Sequence, residues 1–279
     1  MDLELECLKK IVRLALAEDR VRDDVTTNAL ADLDGPARAE VRAKAAGIIS
    51  GINAFLMTMR LVDTALRVTV HAGDGSAVKA GDLILEISGR ESSILKGERT
   101  ALNFLQRLSG VATLTRQFVE KLKPYRSVLL DTRKTTPGMR YLEKKAVRDG
   151  GGRNHRLNLE EMAMVKDNHI AMAGGIGPAV EMVRAACPGK KIEVEVKDLA
   201  ELEEALALGV EMIMLDNFPL EQVCLAVALN RGRAKLESSG NVTLENIAEK
   251  AAVGVDFISA GALTHSFHSL DLSLKIVRS

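Results

Sequence analysis

The sequence holds no Trp, and aromatic residues make up only 3% of its 279 residues. That leaves no platform on which the bases of single-stranded nucleic acid would stack. Lys plus Arg and Asp plus Glu stand at 38 each. With no net charge, no global field draws the chain to nucleic acid or to an anionic membrane, and any anion site must come from local clustering. No apolar run approaches a membrane span, and the opening Met-Asp-Leu-Glu-Leu-Glu is acidic where a signal peptide is basic. A cytoplasmic protein is expected. The three cysteines, Cys7, Cys187 and Cys224, form no CxxC pair, and the expectation for them is buried apolar filler in a reducing compartment.

What is present is the composition of a globular protein: 47% hydrophobic and 27% charged residues, long enough for one or two domains. Up to about Ser109 the pattern is mixed. Leu3 to Glu18 carries a helical apolar stripe, Ala39 to Ile49 reads as a strand, and Asn53 to Val62 reads as a helix. Strands follow at Ala65 to His71 and Leu83 to Ser88, then a helix at Glu98 to Leu108. This order describes a small α+β domain. From Ser127 onward short apolar runs alternate with amphipathic stretches. The runs Ser127–Leu130, Met162–Val165, Lys191–Val196, Glu211–Leu215, Ala234–Leu236 and Asp256–Ser259 read as strands. Helices are expected at Gly177–Ala186, Leu199–Ala207, Leu220–Leu229 and Thr243–Ala252. Such alternation implies right-handed βαβ units and a parallel sheet, with six or seven units visible, short of a clear eight.

Polar residues follow each of these strands. They are Asp131–Gly138 (DTRKTTPG), Lys166–His169 (KDNH), Glu195, Asp216-Asn217, Glu237–Gly240 (ESSG) and Gly261–His265 (GALTH). The C-terminal ends of barrel strands converge on one mouth, so six such positions in register point to an active site. Between Asp131 and Ile170 nine Lys or Arg stand against six Asp or Glu, while Glu195, Asp216 and Glu237 make the later strand ends acidic. A basic half suits an anionic substrate gripped by arginine forks, and an acidic half suits a hard cation carrying phosphate oxygens. Gly150-Gly151-Gly152 reads either as a close approach of backbone to ligand or as a flexible turn. His265 and His268 have the spacing of a metal pair but no accompanying carboxylate motif. Lys166 at a strand end also admits a Schiff-base lysine, as in an aldolase.

The strings DTRKTTPG (131–138), GGGRNHR (150–156), KDNHI (166–170), EVEV (193–196), MLDN (214–217) and GVDFISAGALT (254–264), with ERTALN (98–103), resemble the quinolinate phosphoribosyltransferase family in order along almost the whole chain. The resemblance implies an α/β protein of the type II phosphoribosyltransferase fold. That is an incomplete, about seven-stranded α/β barrel (110–266) beside an N-terminal open α/β sandwich domain (1–109) that the C-terminal segment 267–279 joins. It implies phosphoribosyl transfer from phosphoribosyl pyrophosphate to quinolinate with decarboxylation, giving nicotinate mononucleotide, in a homodimer or a higher homo-oligomer built from dimers with shared active sites. Arg99 (from the partner subunit), Arg133, His155, Arg156 and Lys166 are the implied quinolinate contacts. Lys134, Glu195 and Asp216 are the implied catalytic residues, and they also hold the donor together with Ser239, Gly240, Gly261 and His265. Mg²⁺ is implied on Glu195 and Asp216. The run Asp271–Val277 is expected to return to the first domain's sheet. A paralogue associated with molybdate transport shares the resemblance, but all five basic contact positions keep the expected residue type. Asp149 and Met164 stand where the family often carries Cys and Ile.

Overall fold

The structure, a computed structural model, describes residues 3–277. Among these residues the strands are β1 (Pro36–Ala43), β2 (Gly47–Ile48), β3 (Arg67–Val70), β4 (Ala77–Val78), β5 (Leu83–Arg90), β6 (Val128–Leu130), β7 (Ala163–Val165), β8 (Ile192–Val196), β9 (Met212–Asp216), β10 (Lys235–Ser239), β11 (Phe257–Ser259) and β12 (Leu272–Val277). Chain contacts divide them into two compact units. One comprises residues 3–116, 136–151 and 267–277, and the other 117–135 and 152–266. By these contacts the chain passes from the first unit to the second at 116/117, and the segment 136–151 groups with the first unit.

The first unit is built on an antiparallel sheet of order β12-β1-β5-β3. Alternation places Ala39, Val41 and Ala43 of β1, Leu85 and Ile87 of β5, and Leu272 and Leu274 of β12 in the core. Helix Ile52–Val62 adds Ile52, Phe55 and Met59, spaced as one helix face, and helix Glu91–Leu122 adds Ile94, Ala101, Leu102 and Leu105. The C-terminal run thus returns to this sheet, pairing antiparallel with β1.

Several expected elements differ. The strand expected over Ala39–Ile49 stops at Ala43, and Gly47–Ile48 pairs separately with β4. The helix expected at Glu98–Leu108 runs for 32 residues. Gly97 and Gly110 do not interrupt it. They are places of close approach, where a Cβ would lie 2.8 Å from Met59 Sδ and 2.3 Å from the His268 carbonyl oxygen respectively. A helix at Arg140–Gly150 is unmarked by an apolar pattern, because its inward face includes the buried charges Glu143 and Lys144. Glu143 pairs with Arg107 at 2.6 Å. Asp149 accepts from Ser50 Oγ at 2.6 Å and from Lys145 Nζ at 2.7 Å. These bonds tie residues 136–151 to the first unit. Gly150 and Gly151 finish the same helix, Gly151 with φ +99° and Gly150 close against the Ala112 carbonyl, so this pair is a helix cap.

The second unit is a parallel sheet of order β6-β11-β10-β9-β8-β7. A seventh position is reduced to one residue, Arg153, which forms a parallel bridge to Leu130. Its N–H donates to Leu129 O at 2.9 Å, and its carbonyl accepts from Asp131 N at 3.1 Å. Six strands and this bridge make the incomplete barrel. Helices follow the strands, among them Ile176–Ala186, Leu199–Ala207 and Leu220–Asn230. The helix expected at Thr243–Ala252 begins at Ile247. Cys187 and Cys224 lie exposed at or on helices, contrary to the expectation of buried filler, since neither falls on an inward face. Among the described residues no helix is long and apolar enough to cross a membrane.

The close approach at Gly110 gives a direct test. Gly110→Ala drives a methyl into fixed backbone and should destabilise by about 3 kcal/mol, whereas Gly97→Ala meets a flexible thioether and should cost about 1 kcal/mol. Urea unfolding of both variants measures the contrast.

Candidate active site

In the second unit the parallel strands bring one face of each to a common interior. Residues two apart share a face, so Met164 and Lys166, Glu193 and Glu195, Met214 and Asp216, and Glu237 and Ser239 point the same way. The register sets Glu195 beside Met214, Met214 beside Glu237, and Asp216 beside Ser239. The opposite face carries Ile192, Val194 and Val196, all buried. At the C-terminal ends lies a cavity of about 470 Å³. Its lining includes Arg133, Lys134, His155, Arg156, Lys166, Glu195, Asp216 and Ser239.

Two loops supply most of the cationic wall, and one buried carboxylate joins them. Asp131, fully buried, accepts from Asn154 Nδ2 at 2.5 Å and from the His155 backbone N–H at 2.8 Å. Thr264 Oγ1 donates to the Lys134 carbonyl at 2.8 Å and holds the first loop to helix Ala262–His265. Arg156 is 7% exposed and donates from Nη1 to the Met162 carbonyl at 2.9 Å. Burial, and then the neighbouring charge of Arg133, lower its pKa, and Glu193 partly opposes this. A neighbouring guanidinium disfavours the charged form of Arg156, and an anion bound nearby would favour it. Lys166 Nζ pairs with Glu195 Oε2, which places the lysine in an ion pair and not in the apolar setting of an amine nucleophile.

On the acidic side Asp216 Oδ2 accepts from Asn217 Nδ2 at 3.0 Å, and Asn217 Oδ1 accepts from Asn241 Nδ2 at 3.3 Å. Gly240 has φ +95°, and a Cβ there would fall 2.0 Å from Asn217 Oδ1. Only glycine fits. At Gly261 a Cβ would approach His265 Nε2 at 2.9 Å and Lys134 Cδ at 3.2 Å, so Gly261, His265 and Lys134 adjoin one another. Arg99 is outside the lining of this cavity. It is exposed on helix Glu91–Leu122, in the portion belonging to the first unit. His265 Nδ1 lies 2.7 Å from Ser266 Oγ, and His265 and His268 fall in different units.

The sequence of these loops and of the whole chain matches two family models: "Quinolinate phosphoribosyl transferase, N-terminal domain" over residues 24–109 and "Quinolinate phosphoribosyl transferase, C-terminal domain" over residues 111–275. The chain belongs to the quinolinate phosphoribosyltransferase family. It is 45% identical over 267 residues to a Synechocystis protein named probable nicotinate-nucleotide pyrophosphorylase (carboxylating), covering 94% of this chain and 90% of that one. A Bacillus subtilis protein of the same name is 41% identical over 273 residues, covering 98% and 94%. The solved structure of the nicotinate-nucleotide pyrophosphorylase from Francisella tularensis superposes with a TM-score of 0.94 at 39% identity, covering 99% of this chain and 98% of that one.

Against that family background two buried acids stand out: Glu193, which the sequence did not assign to the site, and Glu237, which it placed among the acidic strand ends of the mouth without a role of its own. Glu193 and Glu237 are both fully buried, and each places an oxygen near His155 Nε2, at 2.9 and 3.5 Å. Glu237 is pushed up to about 8, first by burial and then by the charge of Glu193, against the opposing pull of His155, Ser259 and Lys166. The spacing signal existed: Glu193 lies two residues before Glu195, and Glu237 two before Ser239.

Two outcomes test this geometry. Asp131→Asn keeps the shape but leaves one acceptor oxygen for two buried donors, so it should cost about 1–3 kcal/mol in urea unfolding. For Glu237, the folded state binds a proton that the unfolded state releases above the ordinary value of 4.5. Its contribution to stability therefore falls as pH rises from about 5 to 8 and then levels. Glu237→Gln removes that loss, so its stability relative to the parent should climb across this window by a few kcal/mol. Melting curves at pH 5, 6.5 and 8 read it, and a constant difference would refute the buried acid's role.

Proposed function

We propose that this chain transfers the phosphoribosyl group of phosphoribosyl pyrophosphate to quinolinate with loss of carbon dioxide, producing nicotinate mononucleotide and pyrophosphate for de novo NAD biosynthesis. The observation that carries this reading is one cavity in which Arg133, Arg156 and Lys166 converge opposite Glu195 and Asp216. A planar dicarboxylate needs guanidinium and ammonium donors around it, and an anionic donor bound as a metal complex needs carboxylates beside it. The relatives named above are pyrophosphorylases of the carboxylating type, which supports the same chemistry.

In this reading Arg133, Arg156 and Lys166 hold the two carboxylates, and Arg99 reaches the site from a partner subunit of a homodimer. Lys134 stands between acceptor and donor. Ser239, Gly240 and Gly261, with His265, take the 5′-phosphate through the strand-end turns, where Gly240 keeps Asn217 against the backbone. Glu195 and Asp216 end neighbouring strands and face one cavity, and their hard oxygen donors fit Mg²⁺ and the ribose hydroxyls. The bound ion would neutralise pyrophosphate oxygens and favour departure of that group.

The pyridine nitrogen attacks the ribosyl carbon as its bond to pyrophosphate breaks, and Glu195 and Asp216 moderate the positive charge that develops there. The ring nitrogen becomes cationic. It then accepts the electron pair released when the adjacent carboxylate leaves as carbon dioxide, and a proton takes the vacated ring position. Enclosure from water favours the loss of charge. No covalent enzyme intermediate is required. A cytoplasmic location fits the three unpaired thiols.

The decisive experiment incubates the protein with Mg²⁺ and phosphoribosyl pyrophosphate plus either quinolinate or nicotinate. Mononucleotide and carbon dioxide from quinolinate alone are expected, and product from nicotinate overturns the reading. Co-expressed Arg99→Ala and Lys166→Ala chains test the shared site. Each is expected to be nearly inactive alone. Together they should recover about a quarter of the parent activity, because half the dimers are mixed and each mixed dimer holds one intact site. No recovery would place Arg99 in its own subunit's site.

A further inference from the structure

The wall of the cavity beside Arg156 contains groups that the reaction above does not use. One oxygen each of Glu193 and Glu237 faces His155 Nε2, and Nε2 itself is closed off from solvent. The other ring nitrogen, Nδ1, accepts the backbone N–H of Arg156 at 2.9 Å. An accepting Nδ1 carries no proton, so the ring proton sits on Nε2, toward the two carboxylates. Nδ1 is hydrogen-bonded to the protein, and Nε2 is buried beside the two acids at 2.9 and 3.5 Å without forming a hydrogen bond, even though the ring lines the cavity. A bound carboxylate would meet only ring carbons there.

We propose that His155 is a positioning residue for Arg156, held from behind by Glu193 and Glu237, and does not itself bind the substrate's carboxylates. The inference rests on the quinolinate reading of this cavity. The physical case is the set of restraints on Arg156. Its backbone N–H is fixed to His155 Nδ1, the backbone N–H of His155 is fixed to Asp131, and its own Nη1 is fixed to the Met162 carbonyl. A guanidinium must be held within a fraction of an ångström to grip a carboxylate bidentately, and a ring bonded at Nδ1 and packed at Nε2 against two buried acids supplies one end of that hold.

Titration calorimetry with quinolinate tests it on His155→Gln, His155→Asn, Arg156→Ala and the double variant His155→Gln/Arg156→Ala. His155→Gln keeps a donor toward the acids but loses the Nδ1 acceptor, and it should weaken quinolinate binding about tenfold, the worth of one hydrogen bond to a positioned group. His155→Asn keeps an acceptor near Nδ1 and should recover most of that loss. In the Arg156→Ala background the His155→Gln change should alter binding less than about twofold, because the residue it serves is gone. A further tenfold loss in that background, or an Asn variant as weak as Gln, overturns the proposal. The nitrogen NMR spectrum of the His155 ring, assigned by its loss in His155→Asn, adds a readout that needs no substrate. It should show Nε2 protonated and Nδ1 bare in the intact protein, and a proton on Nδ1 overturns the inference. If the intact protein neither binds nor converts quinolinate, the functional reading fails, and the ring spectrum still decides the role of His155.

Discussion

The cationic half of the site depends on one buried carboxylate. Asp131 directly follows β6 and reaches across to the segment after Arg153, where it accepts from Asn154 and from the His155 backbone. Arg133 and Lys134 lie on one side of that junction, and His155 and Arg156 on the other. Like charges on two loops repel, and nothing in their own sequences would bring them together. A buried anion that takes two hydrogen bonds supplies the join, and the single parallel bridge at Arg153 fixes its register.

Much of the barrel was legible because parallel strands covered by helices leave apolar runs with polar residues at their C-terminal ends. Arg133, Lys134, His155, Arg156, Lys166, Glu195, Asp216 and Ser239 all meet in one cavity. Glu193 was harder to see, and Glu237, legible as a strand-end acid, was not legible as a buried one. In β8 the apolar face, Ile192, Val194 and Val196, packs outward, so the acidic face is the interior one and looks like a solvated edge to any rule that puts apolar residues inside. The helix Arg140–Gly150 hid for a related reason, since buried Glu143 and Lys144 break its apolar stripe. In the long helix Glu91–Leu122 two glycines resembled stops, yet they mark tertiary contacts, and tertiary contacts leave no local signature.

Charge within the cavity is offset in part by neighbouring groups. Lys166 is taken by Glu195, Arg156 is opposed by Arg133 and favoured by Glu193, and burial raises Glu237 toward its neutral form beside the uncharged His155 ring. A chain with zero net charge can therefore hold a strongly polarised site when its buried groups either pair, as Lys166 and Glu195 do, or shift toward the neutral form, as Glu237 does. A dianion entering such a site exchanges one set of pairings for another and meets no empty positive field.

The pairing of β12 with β1 has a consequence for synthesis. The first unit's sheet draws on residues 36–43 and 272–277, so its outer strand leaves the ribosome some 230 residues after the strand it covers. Until then β1 presents an open edge, and its Val41 and Ala39 lack the cover that Leu272 and Leu274 provide. The barrel strands, contiguous in sequence, can assemble meanwhile. Translation thus finishes the domain it began first only after the barrel, and a ribosome that stops short of β12 leaves that early sheet open to chaperones and proteases.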